Sequence, residues 1–298
     1  GIRQSGRKIP MILDLHENYP YAVTTYNWTK GFLRSLLSRP ERWKTKELEY
    51  LGYADRIIVL SEDFRDVLLQ QYPQLSKENF TVLPNVPDPY QMAPGKAPVP
   101  VSGFEKGVTV VLYFGVVAER RGIFDVLDVF SALSRMNHPS AFLVIGPVDK
   151  KDRKMFFERI ASGSMKGRVR YIPWIDMSEL QAYLDITDIC IAPFHKNPQH
   201  ESGVANKIYD YMLGGLPVIA SDCGPQKKLI EKYRCGMIYT DKEQMKEAII
   251  RLSADPALRK EMGENGKKAI LSEYNITIKG KVLADLYEEL KKVHEIKD

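Results

Sequence analysis

The strongest chemical signal in the sequence is a lysine and an aspartate placed close together near the start of a short helical segment. Residues 201–222 begin as a polar loop, continue with apolar residues at helical spacing, and end in a Gly-Gly break followed by an apolar strand. Lys207 and Asp210 therefore lie on adjoining parts of the polar side of this helix. An ordinary helix–strand unit of an α/β sheet explains the apolar positions, but it leaves this cation and this acid unexplained. We take both as candidate site residues.

A second candidate is the loop that follows the predicted strand 108–114. Gly115 ends the strand, Arg120 and Arg121 follow, and Gly122 opens the next helix. Ligands of open α/β sheets bind at the carboxyl ends of strands, where free helix N–H groups and the helix dipole favour an anion. The loop predicts phosphate binding in combination with Lys207, although a solvated basic turn would have the same composition.

Residues 192–203 form a polar loop after another predicted strand, and such loops are where sites tend to be built. Its chemically active side chains are His195, Lys196, His200, Glu201 and Ser202. The histidines and Glu201 could instead be metal ligands, but the loop has no cysteine and no helical histidine spacing. We predict no metal site.

His16 ends the first predicted strand and is expected to face the cleft between two domains. A neutral histidine there can donate to a hydroxyl or phosphate group, although a strand-end histidine satisfied by the backbone is an equal alternative. The chain has no Gly-x-Gly-x-x-Gly, Walker, Gly-x-Ser-x-Gly or EF-hand motif. Most dehydrogenases, P-loop enzymes and α/β-hydrolases are thereby excluded.

Strands that alternate with helices must position these residues. The predicted strands of a C-terminal domain, 108–275, are 108–114, 142–145, 169–172, 189–192 and 217–221, and its helices include 123–136, 152–161, 178–184 and 207–213. This alternation predicts an α/β fold with a doubly wound parallel sheet of five strands. Strands at 10–16, 54–60 and 80–83 predict an incomplete N-terminal domain, 1–90, whose open edge suggests residues missing before Gly1 or a covering chain. A Pro-rich linker, 91–107, joins the domains, and a C-terminal helix, 276–298, is expected to pack back toward the first domain.

The composition is that of a soluble globular protein of two domains. The chain has 298 residues, of which 44% are apolar and 27% charged, and its net charge is +5. Three cysteines without metal-ligand spacing predict a reduced, structural role. No stretch of 18 apolar residues and no signal peptide occurs, which predicts a cytoplasmic protein.

Together these segments resemble the retaining glycosyltransferases of the GT-B class, specifically family four, which includes capsule, lipopolysaccharide and mannosyl transferases. The resemblance runs from about Leu13 to the C-terminus and rests on Asp-Leu-His-Glu around His16 and on segments 54–61, 82–85, 115–122 and 169–193. It implies two Rossmann-like domains and transfer of a sugar from a nucleoside diphosphate sugar, with retention and without a metal, in polysaccharide synthesis. It implies no cofactor beyond the donor and no nucleic acid partner.

The resemblance also suggests roles for single residues. His16 would contact the transferred sugar, Arg121 stands where the family's diphosphate-binding lysine sits, and Asp210 stands in for the glutamate that holds the ribose. The catalytic candidates are thus His16, Arg121 and Lys207, and the donor-binding candidates are Gly115, Arg120, Trp174, Glu201, Ser202 and Asp210.

The sequence departs from the family pattern at three places. Val116 replaces one of two expected diphosphate-binding cations, and Ser202 lies eight positions before Asp210, where the family has an acid. Glu201 is one residue early, while a branch of the family carries a lysine in the position of Lys207. Members of the family normally begin with a further N-terminal stretch that contains a Gly-rich loop. Gly1 corresponds to a position after that stretch. A non-catalytic nucleotide-sugar or scaffolding protein is therefore the alternative, and an epimerase of GT-B shape is a weaker one.

The acceptor is predicted only broadly, as a saccharide or a lipid-linked saccharide. Segment 30–39 and the nearby Arg42, Trp43, Lys44 and Lys46 mix basic with bulky apolar residues, as membrane-surface segments do. Peripheral contact with the inner face of the membrane is one interpretation. An amphipathic helix packed on its own domain is the other.

Overall fold

The computed structural model describes residues 9–25, 40–90, 104 and 107–293, and the chain divides into two compact units. The smaller unit contains Gly1–Asn85, Asn197–Val204 and Thr277–Asp298, and the larger contains Val86–Lys196 and Ala205–Ile276. The predicted linker, 91–107, lies outside the described residues except for Phe104 and Gly107, and so does segment 30–39. Within the described ranges, no helix is both long enough and apolar enough to cross a membrane.

The smaller unit is built on a parallel sheet with the order β1-β2-β3. Its strands are β1 (Ile12–Leu15), β2 (Arg56–Val59) and β3 (Phe80–Val82), and its first three described helices are α1 (Tyr19–Thr25), α2 (Pro40–Leu51) and α3 (Glu62–Gln71). Successive side chains of β2 point to opposite faces. Ile57 and Val59 join a core with Phe64 and Leu68 of α3, whereas Ile58 packs with residues of the last helix of the chain.

The larger unit is built on a parallel sheet whose six strands have the order β6-β5-β4-β7-β8-β9. The strands are β4 (Thr109–Phe114), β5 (Ser140–Ile145), β6 (Val169–Ile172), β7 (Ile189–Ala192), β8 (Val218–Ser221) and β9 (Gly236–Tyr239). The helices are α4 (Ile123–Arg135), α5 (Arg153–Ile160), α6 (Leu180–Leu184), α7 (Asn206–Leu213), α8 (Gly224–Tyr233), α9 (Lys242–Ala254) and α10 (Pro256–Ser272), and the last helix of the chain is α11 (Ile276–Val293).

The prediction of a parallel α/β fold is confirmed, but the prediction of five strands in the larger sheet is wrong. The sixth strand, β9, is a short edge strand that begins with Gly236 and is fully buried only at Tyr239. A Cβ at Gly236 would lie 1.9 Å from the backbone oxygen of Val218, so glycine allows the two strands to pair. A glycine at the start of a short, half-buried run gives little strand signal in a sequence.

Apolar burial fixes the centre of the larger sheet. Every residue of β5 is buried, and α4 places Ile123, Phe130 and Leu133 in the same core at helical spacing. The Phe130 ring stacks on Phe142 of β5 with their centroids 4.8 Å apart. Burying each such side chain stabilises the fold by about 1.5–3 kcal/mol, which makes this core a rigid support for the loops at the strand ends.

Candidate functional site

The candidate site lies where the order of the larger sheet reverses. From β4 the chain proceeds outward through β5 and β6, and it then returns to the other side of β4 as β7. Ligands of open parallel sheets bind at the carboxyl ends of the strands beside such a switch point. The loops after β4 and β7 carry Arg121 and lead to Lys207, respectively.

Lys207 lies in the first turn of α7 and is almost completely buried, with 7% of its surface exposed. Its ammonium nitrogen Nζ has no hydrogen-bond partner. The same nitrogen lies 3.8 Å from the centroid of the Tyr113 ring and 5.1 Å from that of the Phe194 ring. Aromatic faces attract a cation without accepting its N–H groups in the way an oxygen does. The lysine therefore retains its capacity to donate to a ligand.

Arg121 ends a short 3-10 turn, Glu119–Arg121, in the loop that follows β4. Its guanidinium carbon lies 5.9 Å from the centroid of the Phe194 ring, and its Nε atom is buried without a partner. Among the side chains that the structure describes, three buried polar atoms lack a partner, and Arg121 Nε and Lys207 Nζ are two of them. The structure thus brings the two predicted cations together on one aromatic ring.

Two glycines allow this close packing. Gly115 has a φ of +130°, and a Cβ there would lie 2.8 Å from Lys207 Nζ. Gly122 has a φ of +73°, and a Cβ there would lie 1.6 Å from the backbone oxygen of Pro193. Both conformations strongly favour glycine. The ends of β4 and β7 can approach each other and the lysine only because these two positions carry no side chain.

The helices that follow the two loops begin without side-chain caps. Neither Gly122, before α4, nor Ala205, before α7, accepts a hydrogen bond from the helix through its side chain. The first N–H groups of a helix need acceptors, and with the helix dipole they favour an anion. Tyr211 fixes α7 against the sheet, because its hydroxyl oxygen accepts a hydrogen bond of 2.8 Å from the Phe114 nitrogen.

Burial dominates the electrostatics of the site. It lowers the pKa of Lys207 well below the usual range for lysine, and the nearby Arg121 lowers it further, while Asp210 raises it. Burial also lowers the pKa of Arg121 and raises that of Asp210 to about 6, the latter partly offset by Lys207. A lysine ammonium and an arginine Nε group that are held out of water without an acceptor destabilise the folded protein when no ligand is bound. A bound oxyanion would neutralise both, which makes a phosphate or diphosphate the chemistry that fits.

The other predicted residues of the larger unit lie nearer the surface. Arg120 Nη2 lies 3.9 Å from Asp149 Oδ2 on a part-exposed side chain. Trp174 follows β6 and is 69% exposed, so its ring is available to a flat ligand. His195 is engaged at Nε2 by Asp125 Oδ2, at 2.7 Å.

Three predicted site residues belong to the smaller unit. His16 is exposed, with Nε2 3.1 Å from Asp14 Oδ2 and Nδ1 3.4 Å from Asn85 Nδ2. Ser202 is buried, and its hydroxyl donates to the Gln199 oxygen at 2.6 Å. Glu201 is half-buried. The roles assigned to His16, Glu201 and Ser202 stay predictions.

Metal-ligating side chains are dispersed in the described parts of the chain, where no three or more histidines, cysteines or acids form a group that could hold a metal ion. His195 pairs with Asp125, and His200 Nδ1 lies 2.9 Å from Asn197 Nδ2.

Sequence reasoning missed the aromatic residues of the site. Tyr113 and Tyr211 lie in a predicted strand and a predicted helix, whereas Phe194 lies in the predicted polar loop 192–203, and all three are buried. The available signal was their place at a strand end or one helical turn from a predicted cation.

Comparisons with known proteins show the family of the chain. The sequence profile described as "Glycosyl transferases group 1" matches residues 99–269, more than half of the chain. An α-D-kanosaminyltransferase from Streptomyces kanamyceticus is 25% identical over 183 residues, which are 61% of this chain and 46% of that protein. The chain thus spans about half the length of this curated relative.

Solved structures share the fold. The sucrose-phosphate synthase of Thermosynechococcus elongatus has a TM-score of 0.74 at 19% identity, over 98% of this chain and 70% of that one. HepE of Anabaena, in complex with UDP, has a TM-score of 0.72 at 15% identity, over 96% of this chain and 74% of that one.

Proposed function

Because the chain belongs to the glycosyl transferases group 1 family and has the GT-B fold, we propose that it transfers a sugar from a nucleoside diphosphate sugar to a saccharide or lipid-linked saccharide, with retention at the anomeric carbon. One observation carries the proposal: Lys207 Nζ and Arg121 Nε are buried without acceptors beside one aromatic ring, next to two helix starts without side-chain caps. A diphosphate would satisfy all of these donors. HepE, which shares the fold, binds UDP.

In the proposed mechanism the two cations act on the leaving group. Breaking the bond between sugar and diphosphate leaves additional negative charge on the phosphate oxygens, so donors aimed at that group stabilise the transition state more than the ground state. Lys207 and Arg121 are already held in place by packing, so little reorganisation is needed. Each such donor lowers the barrier by about 2.7–4 kcal/mol. Since these side chains supply positive charge at the leaving group, as a metal ion can do at a phosphate, the proposed transfer uses no metal.

The remaining donor contacts follow from the properties of the side chains. Asp210 titrates at about 6, so above that pH it is ionised and can accept hydrogen bonds from ribose hydroxyls. The exposed ring of Trp174 would stack on the base. Gly115 and Arg120 would line the phosphate side. His16, Glu201 and Ser202 are the proposed contacts of the transferred sugar, on the basis of the family resemblance.

A nucleotide-sugar binding protein without turnover is the second candidate. Val116 replaces a cation of the family pattern, and the hydroxyl of Ser202 is engaged within its own loop. The first observation removes one of two expected cations from the diphosphate site, and the second engages a group that could act on the sugar, while Arg121 and Lys207 remain for binding the diphosphate.

A binding and turnover series separates the two candidates. UDP, GDP, ADP and their sugars are tested by thermal shift, since a ligand at a hundred times its dissociation constant stabilises a protein by about 2.7 kcal/mol. Proton NMR with the best donor and a panel of acceptors then follows the anomeric signal. We expect stabilisation by one nucleotide series and product of retained configuration. Stabilisation without product supports the binding protein, and no stabilisation by any nucleotide contradicts both candidates.

The proposed lipid-linked acceptor has its own test. Sedimentation with vesicles of neutral lipid, and with vesicles containing anionic lipid, measures binding of the whole chain. Binding that requires anionic lipid is expected if the basic residues around Arg42 meet the membrane. No binding to either vesicle would remove the membrane part of the proposal.

A further inference from the structure

One aromatic residue contacts both cations of the site, the buried Lys207 and the half-buried Arg121. Taking the diphosphate ligand from the proposed function, we infer that Phe194 is a positioning residue of this site: its ring sets the spacing of Arg121 and Lys207, and a buried hydrogen-bond chain through Ser221 and Gln226 fixes its backbone.

The Phe194 ring contacts both cations. Phe194 follows β7 after Pro193 and is 4% exposed, with the Arg121 guanidinium 5.9 Å and the Lys207 ammonium 5.1 Å from its centroid. A carboxylate in this position would neutralise the cations and compete with a phosphate for their N–H groups. An aromatic face attracts both charges through its quadrupole and leaves those groups available. The site thus holds like charges close together without an acidic partner at the ring.

The backbone of Phe194 is fixed by buried polar groups. The Ser221 hydroxyl donates to the Phe194 oxygen at 2.6 Å, and Gln226 Nε2 lies 2.8 Å from the Ser221 oxygen and 2.9 Å from its hydroxyl. Gln226 is only 2% exposed, so these hydrogen bonds form in a medium of low dielectric constant, where they are strong. Ser221 ends β8 and Gln226 lies in the first turn of α8. The chain therefore anchors the Phe194 ring to the rigid part of the sheet.

A second contact connects the loop of Phe194 to α4. The residue after Phe194, His195, pairs with Asp125 at 2.7 Å, and Asp125 lies in the first turn of α4, just after the turn that carries Arg121. The loop after β7 and the loop after β4 are thus joined beside the ring. A shift of Phe194 would move both cations relative to each other.

The main test compares Phe194→Leu with Phe130→Leu, a matched change at a buried phenylalanine of the same unit whose ring stacks on Phe142. UDP affinity is measured by calorimetry, and the titration of Lys207 is followed by NMR of its 13Cε and 15Nζ nuclei. We expect Phe194→Leu to weaken UDP binding about tenfold, the factor that corresponds to 1.4 kcal/mol, and to move the Lys207 titration to lower pH. Phe194→Tyr, which keeps the ring, should restore both.

Phe130→Leu should lower the melting temperature and change neither readout. If Phe194→Leu only lowers the melting temperature, like its control, or if the Lys207 titration stays or moves to higher pH, the inference is wrong.

Milder variants cover the case in which Phe194→Leu does not fold. Ser221→Ala and Gln226→Leu are compared with Thr187→Val, which removes another buried hydroxyl that donates to a carbonyl, that of Tyr183 at 2.7 Å. We expect the first two to weaken UDP binding about three- to tenfold and Thr187→Val to leave it unchanged. Equal effects at all three positions would contradict the inference.

The two hypotheses fail in distinguishable ways. If the wild-type protein binds no nucleoside diphosphate, the proposed function fails, and the Lys207 titration in Phe194→Leu still decides the role of the ring. If the wild type binds UDP and the variants at Phe194 and Ser221 match their controls, only the positioning role fails.

Discussion

Charged side chains at the two edges of the larger sheet differ in whether they have hydrogen-bond partners. At the amino edge, Asp188 precedes β7 and accepts a hydrogen bond from the Val110 nitrogen at 2.9 Å, while Arg259 Nη2 lies 3.2 Å from its other oxygen. Arg259 also donates to the oxygens of Leu252 and Ser253. At the carboxyl edge, Lys207 Nζ and Arg121 Nε have no acceptor at all.

This difference separates a structural use of charge from a functional one. Asp188 and Arg259 neutralise each other and tie α10 to the strand starts, so removing either leaves the other without its charge partner. Lys207 and Arg121 are kept from any acid that could pair with them directly, and aromatic rings stabilise them instead. The unpaired cations at the carboxyl edge thus lower the free energy of unfolding, but their N–H groups stay available to bind an anion.

The largest effect is expected from Lys207→Met. It should weaken UDP binding about a hundredfold, as the loss of a charge-assisted contact of 2.7 kcal/mol does, and the free energy of unfolding should stay the same or rise, because a buried unpaired ammonium is removed. Calorimetry with UDP and urea denaturation measure the two quantities.

Arg259→Met is the matched change at the amino edge. It should leave UDP affinity unchanged and lower the free energy of unfolding by about 1.5–3 kcal/mol, the range for hydrogen bonds to charged groups. If Lys207→Met destabilised the protein as much as Arg259→Met does, the contrast between the edges would not hold.

A smaller effect is expected from Arg121→Lys, which keeps the charge and removes the planar fork of donors. UDP affinity should fall about tenfold, because an ammonium cannot reproduce bidentate contacts to a phosphate. Arg120→Lys, at the part-exposed neighbouring position, should lower UDP affinity less, by about twofold, because a solvated side chain there contributes mainly its charge, which lysine keeps. Equal losses in the two variants would mean that the turn contributes only diffuse positive charge.

The raised pKa of Asp210 makes the free energy of unfolding depend on pH at the carboxyl edge. Its pKa rises from 3.8 to about 6 in the fold, so the native state binds more protons than the unfolded state between these values. Its contribution to stability is fully present below 3.8 and is lost as the pH rises through 6. Asp210→Asn should therefore raise the free energy of unfolding at pH 7 by roughly 3 kcal/mol at most, at 1.36 kcal/mol for each unit of pKa.

The same variant should have no effect on stability near pH 3, which urea denaturation across the pH range can show. Asp285→Asn on the exposed side of α11 is the control and should leave the profile unchanged. A stabilisation by Asp210→Asn that is the same at pH 3 and pH 7 would exclude the titration of Asp210 as its cause.

The smallest effect is expected from Trp174→Ala. Because the side chain is 69% exposed, its removal should not change the melting temperature. Loss of one stacked base should weaken UDP binding about fivefold, the factor for about 1 kcal/mol. Calorimetry with UDP and with uridine measures the change. If Trp174→Ala bound uridine as tightly as the wild type does, Trp174 would not contact the base.

Much of the fold could be predicted from the sequence, because buried parallel strands are apolar runs and helices carry periodic patterns. The meeting of Arg121 and Lys207 was predictable for a related reason: both follow strands whose carboxyl ends share one edge. The aromatic part of the site was not, since Tyr113 and Phe194 have the composition of an ordinary core.

The long-range contacts of one loop could not be predicted from the sequence either. Segment Asn197–Val204 follows a strand of the larger unit in sequence but belongs to the smaller compact unit. There the Ser61 hydroxyl donates to the Ser202 oxygen, 141 positions away, and a Cβ at Gly203 would meet the Leu60 side chain. Local patterns contain no information on such contacts, so Glu201 and Ser202 could not be placed by sequence alone.

The central claim is that Arg121 and Lys207 bind a diphosphate, and one calorimetric comparison tests it most directly. The best-binding member of UDP, GDP and ADP is titrated beside its nucleoside into the wild-type protein and into Lys207→Met. The account predicts that the wild type binds the diphosphate far more tightly than the nucleoside, and that the variant loses most of this difference while keeping its nucleoside affinity. An undiminished preference for the diphosphate in Lys207→Met would contradict the account.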